Sequence, residues 1–167
     1  MREPPEFATY VRERSPRLLH TSYLLCRDWA LAEDLLQTAL AKAWRAWRRI
    51  EKDPDPYVYK IMFNTYSSWT RRRWRSEIPT GETPESAHSS DLTSGLDDRA
   101  FLWAALGRLP QRQRAVIVLR FFEDLTEAQT AVVLGCTVGT VKSQASKALA
   151  KLRIDPEIVT TTTLGSR

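Results

Sequence analysis

The fold is decided by residues 109–153, which read LPQRQRAVIVLRFFEDLTEAQTAVVLGCTVGTVKSQASKALAKLR. Apolar residues in this stretch recur every three or four positions, a spacing that is typical of amphipathic helices. The first part, LPQRQRAVIVLRFFEDL, is predicted to form one helix. Two shorter helices are predicted to follow, separated by a tight turn at Gly135, because glycine adopts the left-handed conformation that commonly ends a helix.

Capping residues mark the boundaries of the two shorter helices. Thr126 and Gln129 form the pattern T-E-A-Q, a capping box in which each side chain accepts a bond from a backbone N–H of the other. Thr137 can cap the last helix. The inward-facing residues of that helix are predicted to be Val141, Ala145, Ala148, Leu149 and Leu152. Two short helices around a glycine turn indicate a helix-turn-helix, the alternative being an ordinary helical hairpin with solvated charges.

The first 75 residues are also predicted to be helical. One helix is expected between Phe7 and Asp28. The next has an apolar stripe at four-residue steps, formed by Leu31, Leu35, Ala39, Ala43 and Trp47. Pro54 and Pro56 are expected to break that helix. A further helix is predicted to follow, with one side formed by Val58, Met62, Thr65, Tyr66 and Trp69. No stretch alternates in the way that is typical of a strand, so the predicted fold class is all-α.

Net charge divides the chain into three parts. Residues 1–75 carry +6, residues 76–98 carry −6 and residues 99–167 carry +5. The acidic segment is rich in Ser, Thr, Pro and Gly and has no hydrophobic period, which is typical of a flexible linker. We therefore expect a helical domain over 1–75, a linker over 76–98, a helix-turn-helix domain over 99–154 and a polar tail over 155–167. Two basic domains favour a polyanionic partner.

Several function classes are disfavoured by what the sequence lacks. The two cysteines and two histidines are too widely spaced for a zinc site, and both cysteines are interpreted as small buried hydrophobes. There is no Gly-rich phosphate loop and no nucleophilic triad pattern, so we expect no enzyme, no metal and no cofactor. No apolar run is long enough to span a membrane and the N-terminus is not a signal peptide, which predicts a cytoplasmic protein without membrane partners.

Three stretches resemble the signature regions of one family. AEDLLQTALAKAW (32–44), YVYKIMFNTYSSWTRRRWR (57–75) and residues 109–153 are similar, in this order, to those of extracytoplasmic-function sigma factors, and VGTVKSQAS is most similar to the SigE-like actinobacterial branch. The resemblance implies a subunit that gives bacterial RNA polymerase its promoter specificity. The first domain would bind the polymerase clamp and open the minus-ten element. The second would hold the β flap and read the minus-thirty-five element, and an anti-sigma factor is a candidate partner.

The resemblance also implies roles for particular residues of the first domain. The polymerase-binding residues would be Asp34, Gln37, Thr38 and Ala41. The chain departs from the family at Thr38, where Glu is common, and at Leu40, where Phe is common. The minus-ten residues would be Asn64, Arg71, Arg72, Arg73, Trp74 and Arg75. Cations would hold phosphates while Trp74 contacts exposed bases, whereas Trp44, Trp47 and Trp69 fall on apolar faces and are interpreted as core residues.

In the second domain the exposed part of the last helix is predicted to enter the major groove of DNA. Its candidate DNA-binding residues are Thr137, Val138, Gly139, Thr140, Lys142, Ser143, Gln144 and Lys147. Gln bonds adenine through two contacts, while Lys and hydroxyl groups bond bases or phosphates.

Two other classes of function fit the same residues. A free-standing helix-turn-helix regulator, with a helical sensing or dimerisation domain, would bind its operator without polymerase. A helical interaction protein would use its basic faces to bind acidic proteins and would show no dependence on DNA.

Overall fold

The first three helices form one layer of the molecule, which we describe from a computed structural model covering residues 5–76 and 104–152. Helix α1 spans Pro5–Cys26, α2 spans Trp29–Ala46 and α3 spans Pro54–Ser76. The side chains described in this part are those of residues 6–73. The predicted helix between Phe7 and Asp28 is confirmed to within two residues at each end.

Local caps explain where α2 and α3 begin. The Asp28 carboxylate accepts the N–H of Leu31 at 3.0 Å, which satisfies one of the donors left unpaired at the start of α2. A 3₁₀ turn, Trp47–Arg49, follows α2. Pro54 and Pro56 lie in the first turn of α3, where a missing N–H costs nothing, so these prolines begin a helix as well as separating it from α2.

The core of the first domain is built from the predicted stripes. Its fully buried residues include Leu18, Leu24, Leu35, Val58 and Met62. Trp47 packs edge-on against Phe7 with ring centroids 5.0 Å apart. Trp44, Trp47 and Trp69 are all partly buried against this core, which confirms their interpretation as packing residues.

The described part of the second domain, residues 104–152, contains four helices and one π turn. Helix α4 covers residues 104–108, α5 spans Gln111–Ile117, α6 spans Glu127–Leu134 and α7 spans Val138–Leu152. No strand occurs in residues 5–76 or 104–152, and the all-α fold class is confirmed.

The prediction of one uninterrupted helix over residues 109–125 is wrong in detail. Pro110 precedes α5, and after Ile117 the helix changes to a π turn, Val118–Phe122. The Glu123 N–H bonds the carbonyl of Val118, five residues back, at 3.0 Å. An apolar run such as VIVLRFF is compatible with the four-residue hydrogen-bond spacing of an α-helix and with the five-residue spacing of a π turn. The hydrophobic periodicity alone therefore does not reveal the extra residue in this turn.

The helix-turn-helix boundaries match the sequence pattern closely. The Thr126 hydroxyl accepts the N–H of Gln129 at 3.0 Å, and the Gln129 side chain accepts the N–H of Thr126 at 2.9 Å. Gly135 has φ +65° and ends α6 in the left-handed conformation. The Thr137 hydroxyl accepts the N–H of Thr140 at 3.1 Å and so caps α7. The capping box, the glycine turn and the second cap are therefore all confirmed.

The two groups of helices pack against each other. Helix α6 contacts α3, while α5 and the π turn contact α1. The predicted linker lies outside the described residues except for Ser76, and the predicted tail at 155–167 lies outside them entirely.

Candidate nucleic-acid interface

Helix α7 presents a free polar face opposite a buried apolar one. Val141, Ala148 and Leu152 are buried, and Ala145 and Leu149 pack partly buried against the core. Of the predicted DNA-binding residues, Thr137, Val138, Gly139, Lys142, Ser143 and Lys147 are exposed, and Thr140 and Gln144 are half-buried. All eight are therefore at least partly accessible, although Val138, seven residues before Ala145, lies in the first turn on the side of the buried stripe.

The first turn of α7 is held by side-chain contacts as well as by its cap. The hydroxyls of Thr137 and Thr140 lie 2.9 Å apart, so they bond each other. A Cβ added at Gly139 would lie 3.8 Å from the Thr137 hydroxyl oxygen, an ordinary contact. Packing does not require glycine here, and its effect is to leave the backbone of the exposed turn open to close approach.

One predicted DNA-binding lysine has a protein neighbour. The Lys142 ammonium lies 4.0 Å from the carboxylate of Glu127, at the start of α6. Ion pairs between exposed side chains contribute little to stability, typically about 0–1 kcal/mol. The contact with Glu127 therefore holds Lys142 only loosely.

Helix α3 carries the predicted minus-ten residues. Asn64, Arg71, Arg72 and Arg73 are exposed and Ser68 is half-buried, while Met62, Thr65 and Tyr66 are buried on the opposite side. Asn64, Ser68 and Arg71 recur at four- and three-residue steps, so they share one helix face. The backbone of Trp74 and Arg75 continues α3, but their side chains lie outside the described ones.

Helix α2 carries the predicted polymerase contacts. Asp34, Gln37 and Ala41 are exposed, Thr38 is half-buried, and the stripe that faces away from them is buried in the core. Leu40, where the chain departs from the family, packs partly buried against that core. A carboxylate and an amide on an exposed helix face offer directional hydrogen bonds to cationic side chains of a partner.

A groove between α2 and α3 was missed by the sequence analysis. It has a volume of about 420 Å³ and is lined by Ala46, Arg49, Ile50, Glu51, Lys52, Asp53 and Tyr57. Tyr57, which is 37% exposed, lies seven residues before Asn64 and so on the same face of α3. That spacing is the signal in the sequence that links the groove to the predicted minus-ten face.

The described residues give little support for metal binding, thiol chemistry or a membrane-spanning helix. No group of three or more His, Cys, Asp or Glu side chains in residues 5–76 and 104–152 could hold a metal ion. Burial raises the pKa of the Cys26 thiol to about 12, which keeps it protonated and unreactive, as its interpretation as a small hydrophobe predicts. Over the same residues, none of the helices combines the length and the apolar character that crossing a membrane requires.

Known proteins resemble this chain over both groups of helices. The sigma-70 region 2 family matches residues 10–76, and the sigma-70 region 4 family matches residues 102–152. The RNA polymerase sigma-E factor of Streptomyces coelicolor is 43% identical over 155 residues, which cover 92% of this chain and 87% of that protein. The sigma-E factor of Streptomyces antibioticus is 42% identical over 154 residues, 91% of this chain and 85% of that protein.

A solved structure shares the arrangement as well as the helices. The sigma factor RpoE of Bartonella quintana, crystallised with the anti-sigma factor NepR, superposes with a TM-score of 0.73 at 26% identity, over 90% of this chain and 96% of that one. The helix-turn-helix, the three-helix domain and these matches together define the class: the chain belongs to the sigma-70 family of RNA polymerase sigma factors. Within that family it falls in the extracytoplasmic-function, SigE-like branch.

Membership of this family settles the general function. A sigma factor joins core RNA polymerase and directs it to promoters, so this chain acts in promoter-specific initiation of transcription. The free-standing regulator considered above is not favoured, because both sigma-70 regions are present in the expected order.

Proposed function

We propose that the two domains divide the promoter between them. The domain over residues 1–75 binds the polymerase clamp and opens the minus-ten element, and the domain over 99–154 holds the β flap and reads the minus-thirty-five element. The acidic segment 76–98 links the two. The observation that carries this proposal is that α2, α3 and α7 each present an exposed polar face directly opposite a buried stripe.

The exposed face of α7 is suited to duplex DNA. The major groove admits an α-helix, and residues near the N-terminus of such a helix reach base edges. Gln144 can bond adenine through both amide atoms, whereas Lys142 and Lys147 supply charge to phosphates, which positions the helix without reading sequence. Thr137, Val138, Gly139, Thr140 and Ser143 complete this surface.

The exposed face of α3 is suited to a separated strand. The Asn64 amide can bond the edge of a base turned out of the duplex, and unstacking that base costs a few kcal/mol. Arg71, Arg72, Arg73 and Arg75 bind backbone phosphates nearby, and Trp74 offers a ring on which a base stacks.

The exposed face of α2 is the proposed contact with the polymerase clamp. Asp34 and Gln37 provide the hydrogen-bonding groups, and Thr38 and Ala41 border them on the same face. Since the carboxylate and amide are exposed, their bonds to cationic partner groups form without first breaking contacts inside the chain.

We further propose that the chain has no catalytic activity of its own and requires no cofactor. It acts in the cytoplasm, where it meets polymerase and promoter DNA. An anti-sigma factor is a candidate regulator, which the likeness to the NepR-bound sigma factor supports.

The proposed reading of the upstream element is tested by substitutions in α7, measured in the assembled holoenzyme. Gln144→Ala is expected to relax the preference at one base pair of the minus-thirty-five element, since a bidentate amide–adenine contact discriminates by roughly 1–3 kcal/mol. Lys147→Ala is expected to weaken binding to every sequence and to lower the salt slope by about one unit.

Lys151→Ala is the matched control, because Lys151 is exposed on the same helix but lies one turn further from its N-terminus. It should change neither base preference nor salt slope. If Gln144→Ala leaves the preferred upstream element unchanged and Lys147→Ala behaves like the control, α7 does not read this element.

A further inference from the structure

A buried carboxylate joins the two domains. Glu123, which directly follows the π turn, is 8% exposed, and its carboxylate has no partner within its own domain among the hydrogen bonds and ion pairs described. It accepts the Tyr59 hydroxyl of α3 at 2.6 Å and the Arg17 Nε of α1 at 2.8 Å. The Thr21 hydroxyl of α1 donates to its other oxygen. All three partners of this carboxylate therefore belong to the first domain.

Irregular backbone directs Glu123 towards these partners. The π turn inserts one residue relative to an α-helix, which rotates the following side chains by about 100° around the axis. Asp124, the next residue, has φ +55°, a left-handed conformation that Asp tolerates better than most residues. The helix thus ends at the point where its last carboxylate enters the first domain.

The electrostatics of this contact depend on the domains staying together. Burial and the hydrogen bond to Glu123 raise the pKa of Tyr59, so its hydroxyl remains a donor. Burial lowers the pKa of Arg17, but the charge and hydrogen bond of Glu123, together with nearby Tyr59 and Asp124, outweigh that effect and leave the pKa raised. A buried charge is tolerated only with its partners in place, and here they are supplied across the domain boundary.

Further hydrogen bonds support the same contact. Arg114 donates to the carbonyl of Leu25 at 2.7 Å and so satisfies one of the last carbonyls of α1. The Gln111 amide donates to the Ser67 hydroxyl at 3.0 Å and accepts the Thr70 hydroxyl at 3.0 Å. Polar groups from α5 are thereby matched to polar groups at the ends of α1 and α3.

This docked arrangement is too small to span a promoter. Elements centred near minus ten and minus thirty-five are about 25 base pairs apart, which is roughly 85 Å of duplex at about 3.4 Å per pair. A compact body of about 120 residues is only roughly 35 Å across. The 27 residues at 77–103 can reach up to about 90 Å when extended, so chain length permits the domains to separate.

We propose that Glu123 is an intramolecular latch: its bonds to Arg17, Thr21 and Tyr59 hold the second domain on the first in the free protein, and they must break before both promoter elements are contacted. The proposal rests on the proposed division of the promoter between the domains. The chain superposes on the anti-sigma-bound sigma factor compared above with a TM-score of 0.73 over 90% of its length, so a similar overall arrangement occurs in a sigma factor bound to another protein. Here the chain holds itself in that arrangement.

The latch has a measurable cost for polymerase binding. In the proposed division of the promoter, the clamp-bound and flap-bound domains lie on the two separated elements, so binding both polymerase sites in this way also needs the open form. The apparent affinity for core polymerase then depends on the fraction of molecules that are open. Weakening the latch should therefore tighten binding to core polymerase, the opposite of what loss of an ordinary structural contact does.

The test uses the full-length chain and two measurements, small-angle X-ray scattering of the free protein and titration with core polymerase. Glu123→Gln removes the charge while keeping the shape, and Tyr59→Phe is a milder second variant that removes one hydroxyl. Asp55→Asn is the matched control, because Asp55 also accepts a tyrosine hydroxyl, from Tyr10 at 2.8 Å, and pairs with Arg14, but entirely within the first domain.

The free wild-type protein is expected to have a radius of gyration near the value of about 15 Å for a compact chain of this length. Glu123→Gln should increase it by several ångströms and tighten core binding at least threefold, with Tyr59→Phe changing both in the same direction by less. The control should change neither. The latch is refuted if folded Glu123→Gln and Tyr59→Phe scatter like wild type, or if they expand without binding core polymerase more tightly. Neither measurement depends on which helix reads which element, so failure of the latch is distinguishable from failure of the proposed promoter contacts.

Discussion

At the residue scale, the proposed promoter contacts differ in what they can discriminate. An amide such as that of Asn64 has a donor and an acceptor in fixed positions, so it distinguishes one base edge from another. A guanidinium such as that of Arg71 is attracted to any phosphate. Both side chains lie on the exposed face of α3, and the two kinds of contact are therefore separable by single substitutions.

Asn64→Ala is expected to slow promoter opening and to relax base preference at one position of the minus-ten element. Arg71→Ala is expected to slow opening on all sequences alike, because a phosphate contact carries no base information. Permanganate footprinting on a panel of base-substituted promoters measures both effects. A loss for Asn64→Ala that is uniform across the panel would show that Asn64 contacts phosphate or acts structurally.

The exposed face of α2 provides a second prediction at this scale. Replacing both Asp34 and Gln37 with Ala should weaken binding to core polymerase by at least tenfold, about 1.4 kcal/mol. Helical content should not change, since both side chains are exposed. Glu33→Ala, which removes another exposed acid of α2, is the control in the same competition assay. If the double variant competes as well as Glu33→Ala does, this face does not bind polymerase.

At the scale of the elements, the turn between α6 and α7 sets the geometry of the helix-turn-helix. Gly135 has φ +65° and no atom within 4 Å of where a Cβ would lie, so only its backbone conformation demands glycine. The Thr126 capping box fixes the other end of α6. Both devices act on stability without touching the proposed DNA-binding face.

Gly135→Ala is expected to destabilise the protein by roughly 1–2 kcal/mol, the cost of the left-handed conformation for an L-residue. Gly135→Asn should cost less, because Asn tolerates that conformation. Thr126→Ala should cost about 0.5–2 kcal/mol through loss of the cap. Urea unfolding followed by circular dichroism measures all three. Equal losses for Ala and Asn at Gly135 would contradict the conformational explanation.

Elements whose boundaries depend on local chemistry were predictable from the sequence. The caps at Thr126, Gly135 and Thr137 involve only backbone groups three or four residues away. Such local patterns can be recognised in one sequence. The π turn is different, because it ends where Glu123 reaches Tyr59, 64 residues away. A contact of that separation leaves no periodic trace in the sequence, which is why one regular helix was expected there.

At the scale of the whole molecule, one part of the candidate site was predictable from the sequence and another part was not. The exposed faces of α2, α3 and α7 follow from helical period and were correctly assigned to the surface. The groove beside Tyr57 and the docking of the two domains were not foreseen, because both depend on how separate helices are placed. The distribution of net charge along the sequence predicted two basic domains, but it did not predict a contact between them.

The most direct test of the central claim is run-off transcription with core RNA polymerase freed of other sigma factors, using fragments of the chain's own genome as templates. This chain is expected to produce transcripts with defined starts only when core polymerase is present, and substitutions in either the minus-ten or the minus-thirty-five element should abolish them. Defined transcripts that need both elements would establish promoter-specific initiation by this protein. No defined start with active core polymerase, together with tight binding of the chain alone to duplex sites as a symmetric dimer, would contradict the account and favour a free-standing regulator.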